Sequence, residues 1–149
     1  MEPESVVRGF LEQMARGDSR AALEVVDDNI VYTNVGLPTV HGRARVARVL
    51  GLLDRPLLGF GVDTINLASD GPVVLTERID ELRLGRLRVQ FWVCGRFEVV
   101  DGRIVVWRDY FDQFDVFKGL VRAVAALAIP GLQKPLAPPV GPGTAPTVG

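Results

Sequence analysis

Two charged side chains in residues 73–84 stand where a strand of this composition would bury apolar groups. Period-two alternation predicts an inner face of Val74, Thr76, Arg78, Asp80, Leu82 and Leu84, and a solvent-facing set of Leu75, Glu77, Ile79, Glu81 and Arg83. Burying Arg78 and Asp80 is costly unless the two charges are paired. On these two residues alone, a structural ion pair accounts for the pattern as well as a functional cluster does.

More polar groups are predicted to join this inner face. Asp109 alternates along its strand with Val105, Trp107 and Phe111, so it should also point inward and complete the hydrogen bonds of the arginine fork. Tyr32 and Asn34, two residues apart on an earlier strand, share a face and supply a hydroxyl and an amide that can hold water. The predicted pocket lining is Trp92, Trp107, Phe111, Val74, Leu82 and Leu37.

The hydrophobic pattern predicts helices first and a sheet afterwards. Helices are expected over residues 3–16, over 19–26 after a cap at Asp18 or Ser19, over 43–53, and from a cap at Asp112 or Asp115 to about 128. Strands are expected over 30–35, 61–68, 73–84, 88–100 and 103–111, with a hairpin turn at Asp101-Gly102. This order predicts an α+β fold, in which a curved mixed, mostly antiparallel sheet and its helices form a cone with an internal pocket.

Composition sets the class of protein. A chain of 149 residues predicts a single domain over residues 1–129, followed by a flexible tail at 130–149 that holds six of the ten prolines and one charge, Lys134. The net charge of −1 disfavours nucleic acid and an anionic membrane as partners. Cys94 is the single cysteine, and the sequence has neither a signal-peptide pattern nor a membrane-length apolar run, so a soluble, cytoplasmic protein is expected.

Three blocks of sequence together resemble the limonene-1,2-epoxide hydrolase family. They are YTNVGLP at residues 32–38, TERID at 76–80 and WRDYFD at 107–112, in the family's order and with similar spacing, and the resemblance spans about residues 4–118. It implies the cone fold shared with nuclear transport factor 2, the cystatin-like proteins and ketosteroid isomerase. It also implies a homodimer that hydrolyses a lipophilic epoxide to a diol, with neither metal nor cofactor.

The same resemblance assigns a role to each polar group. Asp109 matches the general base, Tyr32 and Asn34 match the groups that help it hold water, Asp80 matches the acid, and Arg78 matches the bridge between the two aspartates. This division of labour suits epoxide opening, because one carboxyl must be ionised while the other is protonated at the same pH.

Two other functions remain open at this point. The same cone can place an aspartate base for ketosteroid-isomerase-like proton transfer, although Arg78 beside the acid argues against a neutral donor. A non-catalytic module that binds a lipophile is the third hypothesis. His41 is the single histidine, which disfavours a Ser-His-Asp triad or a multi-histidine metal site.

Overall fold

Alternating apolar and polar residues build a six-stranded sheet in the computed structural model, which describes residues 1–136. The strands are β1 Val26–Asn34, β2 Val40–His41, β3 Leu58–Asp70, β4 Val73–Leu84, β5 Leu87–Val100 and β6 Arg103–Tyr110. Their order across the sheet is β2-β1-β6-β5-β4-β3. β1 and β6 run parallel, and the other neighbours run antiparallel. The predicted α+β fold with a curved, mostly antiparallel sheet is confirmed.

In residues 1–136, four helices accompany the sheet: α1 Pro3–Ala15, α2 Ser19–Leu23, α3 Arg43–Leu52 and α4 Gln113–Ala128. Pro3 starts α1 because its fixed φ suits a first helical turn. The apolar stripe of α1, from Val6 to Met14, is buried in one core with Phe97 and Trp107 of the sheet. Asp18 caps α2 and Asp112 caps α4 through side-chain hydrogen bonds to backbone N–H groups. Within the described residues, no helix has the length and apolar character needed to cross a bilayer.

The boundary between α2 and β1 differs from the prediction. The helix ends at Leu23, and β1 begins at Val26 and continues through Asp27, Asp28 and Asn29. We expected this polar run to form a turn, because its residues favour turns. Backbone pairing outweighs that preference, since Val26 pairs with Ile104 of β6 before the register shifts.

Helix α4 covers the part of the β5 edge that β6 leaves open. β6 pairs with β5 only from Cys94 onward, which leaves residues 87–93 open on that side. Asp115 of α4 accepts a hydrogen bond from the backbone N–H of Trp92 at 3.0 Å. Gly119 lets the helix lie against the same edge, because a Cβ at this position would collide with the carbonyl oxygen of Gln90.

The first residues of the predicted tail lie against the sheet. A short 3-10 turn spans Pro130–Leu132, after which Gln133 Nε2 donates to the carbonyl oxygen of Arg88 at 2.6 Å. Gln90 Nε2 donates both to Lys134 O at 2.8 Å and to Glu81 Oε2 at 2.7 Å. Glu81 was predicted to face solvent, but these contacts bury it, at 2% exposure. The rest of the predicted tail, residues 137–149, lies outside the described residues.

Candidate active site

Arg78 is the centre of a buried cluster and is fully shielded from solvent. Its Nε donates to Asp80 Oδ1 at 2.7 Å, and its Nη2 donates to Asp80 Oδ2 at 3.1 Å, which makes a bidentate pair. Nη2 also lies 2.7 Å from Oδ2 of Asp109, two strands away on β6. Asp80 and Asp109 are only 5% and 4% exposed. The structure thus brings all three charged residues together in one buried cluster.

A glycine on the intervening strand makes this arrangement possible. Gly95 of β5 is the register partner of both Thr76 on β4 and Asp109 on β6. A Cβ at Gly95 would stand 2.6 Å from Thr76 Oγ1, 3.0 Å from Asp109 Oδ1 and closer still to Arg78 Nη1. Because β5 carries no side chain at this point, the guanidinium can cross it and reach Asp109.

Thr76 is a third side-chain partner of the Arg78 guanidinium, after the two aspartates. Its Oγ1 accepts a hydrogen bond from Arg78 Nη1 at 3.1 Å, and the threonine is itself buried. Strand alternation predicts Thr76 on the inner face but gives it no role, and the contribution of Gly95 was not predicted. The available signal was a glycine inside a strand pattern, which often marks a close approach of another group.

Tyr32 and Asn34 lie beside Asp109 because β1 runs parallel to β6. Asn34 is the register partner of Asp109, and Tyr32 is the partner of Trp107, on which its ring stacks with centroids 4.0 Å apart. Asn34 Nδ2 donates to the Tyr32 hydroxyl oxygen at 2.7 Å. This bond leaves the side-chain oxygen of Asn34, Oδ1, as an acceptor and the Tyr32 O–H as a donor toward a third group.

The surroundings shift the protonation of three of these residues. Burial raises the pKa of Asp80 from 3.8 to about 6, although the charge and hydrogen bonds of Arg78 act in the opposite direction. Burial, followed by the Asp109 charge, raises the pKa of Tyr32, so its hydroxyl stays protonated at neutral pH. Burial alone would lower the pKa of Arg78, but the charges of Asp109 and Asp80 outweigh it and raise that pKa, so the guanidinium stays cationic.

The two aspartates and their neighbours on β1 lie at one wall of a cavity of about 380 Å³. Its polar wall contains Tyr32, Asn34, Asp80 and Asp109, and the predicted lining residues found there are Leu37, Leu82, Trp107 and Phe111. Val49, Leu50 and Leu52 of α3 also line the cavity, a contribution that was not predicted. Within residues 1–136, no group of three or more His, Cys, Asp or Glu side chains is placed to hold a metal ion.

Two residues predicted to line the pocket lie elsewhere, and that part of the prediction is wrong. Trp92 is on the outer face of the sheet, 44% exposed, and its Nε1 donates to Glu77 Oε1 at 3.1 Å. On β5 the odd positions face the cavity, so Phe91 and Val93 line it instead. Val74 does face inward but is fully buried in the core and does not line the cavity.

Comparisons with known proteins identify the family of this chain. Residues 1–122 match the family model described as the limonene-1,2-epoxide hydrolase catalytic domain. Epoxide hydrolase EphG of Mycobacterium tuberculosis strain H37Rv is 46% identical over 130 residues, which cover 87% of each chain. The chain therefore belongs to the limonene-1,2-epoxide hydrolase family. The prediction of an enzyme of the epoxide hydrolase class is confirmed.

Two solved structures share the fold of this chain. The structure of an M. tuberculosis epoxide hydrolase described as like limonene-1,2-epoxide hydrolase superposes with a TM-score of 0.82 at 45% identity, covering 86% of this chain and 96% of that one. The epoxide hydrolase/cyclase-like enzyme SalBIII, which acts in pyran ring formation in the polyether salinomycin, gives a TM-score of 0.68 at 20% identity, with coverage of 76% and 92%. At that identity, the second match supports the fold alone.

Proposed function

We propose that this protein converts a lipophilic epoxide to a vicinal diol by direct, one-step attack of water. The observation that carries the proposal is the single arginine that binds two buried carboxylates at the wall of an apolar cavity. Opening an epoxide requires a proton to leave water as the oxygen attacks carbon, and another proton to reach the ring oxygen as its bond to carbon breaks. Two carboxyls in different environments can perform these opposite tasks.

Asp109 is the proposed general base. It adjoins Asn34 and Tyr32, which offer an acceptor and a donor to the same water molecule. A water held by two acceptors and one donor has a fixed orientation, so the entropic cost of its attack falls. The raised pKa of Tyr32 keeps its hydroxyl a donor across the working pH range.

Asp80 is the proposed general acid, and Arg78 is the group that orients both carboxyls. A pKa of about 6 leaves an appreciable fraction of Asp80 protonated near neutral pH, whereas an exposed aspartate would be almost fully ionised. The guanidinium holds Asp80 through two hydrogen bonds, which fixes the direction of the acid relative to the cavity.

The lining supports a lipophilic substrate. Leucines from α3, β3 and β4 and the aromatic rings of Trp107 and Phe111 surround the space in front of the aspartates. A cavity of about 380 Å³ with this lining gains affinity mainly by removing hydrocarbon from water. The polar groups are concentrated on one wall, so the epoxide oxygen is the part of the substrate that they would recognise.

Substitution of the three charged residues tests the assignment. Asp109→Asn, Asp80→Asn and Arg78→Ala should each lower kcat/KM for diol formation by about 100-fold or more, the scale of one positioned acid or base. Asp63→Asn is the matched control, because Asp63 is exposed on β3 and does not line the cavity. Circular dichroism should show a folded chain for each variant. Full activity in any of the three would contradict the role given to that residue.

A single turnover in oxygen-18 water tests the mechanism. Direct attack places the label in the diol and leaves every aspartate unlabelled, which mass spectrometry of the peptides can establish. Label incorporated first into an aspartate would indicate a covalent intermediate and overturn the one-step proposal. Isomerisation of a 5-ene-3-ketosteroid without hydrolysis of any epoxide would instead favour the proton-transfer alternative.

We further propose that the protein forms a homodimer through the outer face of its sheet. Leu75, Trp92 and Tyr110, on three adjacent strands, are large side chains that are 52%, 44% and 40% exposed on this face, and a second copy could cover them. Light scattering after size exclusion should give twice the mass of the chain. Trp92→Glu should shift the mass to that of a monomer, and a monomeric parent protein would contradict the proposal.

A further inference from the structure

Three chain segments meet at the end of the sheet where β4 turns into β5. They are residues 55–58, 83–88 and 127–134, and we refer to them together as the hairpin end. The N–H of Gly85, at the turn, donates to the carbonyl oxygen of Leu57 at 2.8 Å, which joins the first two segments. Gln133 Nε2 donates to Arg88 O at 2.6 Å, which joins the third. The hairpin end is therefore one continuous surface.

The charge of the hairpin end is of one sign. Its three segments contain five cations and neither aspartate nor glutamate, and the cations are Arg55, Arg83, Arg86, Arg88 and Lys134. All of these except Arg83 are exposed, and none of the five forms an ion pair within residues 1–136. The net charge of −1 does not reveal this cluster, because it also counts the acidic residues that lie elsewhere in the chain.

Large apolar side chains alternate with these cations. Leu57 is 74% exposed, Ile129 59%, Leu132 50% and Leu84 49%. The surface also adjoins the cavity, since Leu58 and Leu82, close neighbours of Leu57 and Leu84, line it. Exposed leucines among unpaired arginines match the composition of protein surfaces that rest on a lipid interface, where the leucines enter the acyl boundary and the arginines remain at the head groups.

We propose that the hairpin end docks on an anionic lipid surface, from which a lipophilic epoxide reaches the cavity. Charge complementarity selects anionic head groups, and the apolar side chains between the cations select a bilayer over a soluble polyanion. The docking is independent of turnover, whereas the delivery of substrate rests on the proposed epoxide hydrolase function.

Binding of the full chain to vesicles tests the docking. The protein should sediment with vesicles of phosphatidylcholine mixed with phosphatidylglycerol at low salt, and it should sediment much less with phosphatidylcholine alone or at high salt. Arg86→Glu with Arg88→Glu should weaken the partition coefficient by about 100-fold or more, given the attraction of each basic residue to an anionic surface. Leu57→Ser with Leu84→Ser should also weaken it.

The matched control reverses two arginines at the other end of the sheet. Arg8 and Arg103 are both exposed, and α1 begins beside the far end of β3, where Ser69 Oγ donates to Glu4 Oε1 at 2.7 Å. Arg8→Glu with Arg103→Glu should keep most of the vesicle binding. An equal loss in this control, or equal sedimentation of the parent protein with both kinds of vesicle, would overturn the proposal. So would a change from dimer to monomer in Arg86→Glu with Arg88→Glu, which would make this surface an interface between copies of the chain.

Activity measurements separate this proposal from the proposed function. Arg86→Glu with Arg88→Glu should hydrolyse a water-soluble epoxide at the parental rate but should lose rate on an epoxide carried in anionic vesicles. An equal loss on both substrates would overturn the docking proposal. A parent protein that binds anionic vesicles but forms diol from neither substrate would leave the docking intact and refute the enzymatic function.

Discussion

Gly95→Ala should disable the catalytic cluster without replacing a charged residue. The new methyl would stand 2.6 Å from Thr76 Oγ1 and closer still to Arg78 Nη1, whereas non-bonded heavy atoms settle at about 3.5 Å. The guanidinium must therefore move by about 1 Å, and a misplacement of that size can lower the rate about 100-fold. We expect kcat for diol formation to fall by about this factor, and the free energy of unfolding to fall by about 1–3 kcal/mol from overpacking.

The assay for Gly95→Ala combines steady-state kinetics with thermal denaturation. Gly9→Ala is the matched control, because a Cβ at Gly9 on α1 meets no atom within 4 Å. This control should keep full activity and gain about 0.5–1 kcal/mol of stability, since alanine favours a helix interior over glycine. A folded Gly95→Ala protein with parental kcat would show that the position of the guanidinium does not limit the reaction, and the proposed role of Arg78 would fail.

Two further predictions concern the cluster, and a third concerns the packing of α4 on the sheet. Asp80 must be protonated to act as an acid, and burial raises its pKa to about 6, so kcat/KM should fall about tenfold per pH unit above that value. A profile that is flat to about pH 9 would contradict the role of Asp80. Thr76→Val removes the acceptor for Arg78 Nη1 and should lower the free energy of unfolding, measured by chemical denaturation, by about 1–3 kcal/mol. Thr76→Ser keeps the hydroxyl, so its free energy of unfolding should fall by less. Gly119→Ala should lower the melting temperature by pushing α4 off the edge of β5, at a cost of about 1–3 kcal/mol, and an unchanged melting temperature would refute this packing.

Strand periodicity predicted the charged cluster because its members break the expected pattern of burial. Arg78 and Asp80 occupy inner positions of β4, and Asp109 occupies one on β6, so alternation alone places them on the same side of the sheet. The fold class followed from the order of helices and strands in the same way. Glu81 shows the limit of this method. Alternation gives its face correctly, but the segment that buries it comes from residues 133–136, far along the chain.

The pocket lining was less predictable for a related reason. Trp92 is large and apolar, and its residue type suggested a place in the cavity, whereas its even position on β5 puts it on the outer face. Gly95 was overlooked because its contribution is the absence of a side chain, which has meaning only when the strands on both sides are known. The leucines of α3 reach the cavity through tertiary packing that no local pattern encodes.

The shared arginine determines how charge can move during the proposed reaction. With both carboxyls ionised, the buried cluster carries one net negative charge, and one proton makes it neutral, which burial favours. If Asp80 gives its proton to the ring oxygen while Asp109 takes one from water, the cluster remains neutral throughout. Only the position of the negative carboxylate changes, from one side of Arg78 to the other. An arginine held by both aspartates stabilises either arrangement, so the reaction never leaves an unpaired charge in the apolar cavity.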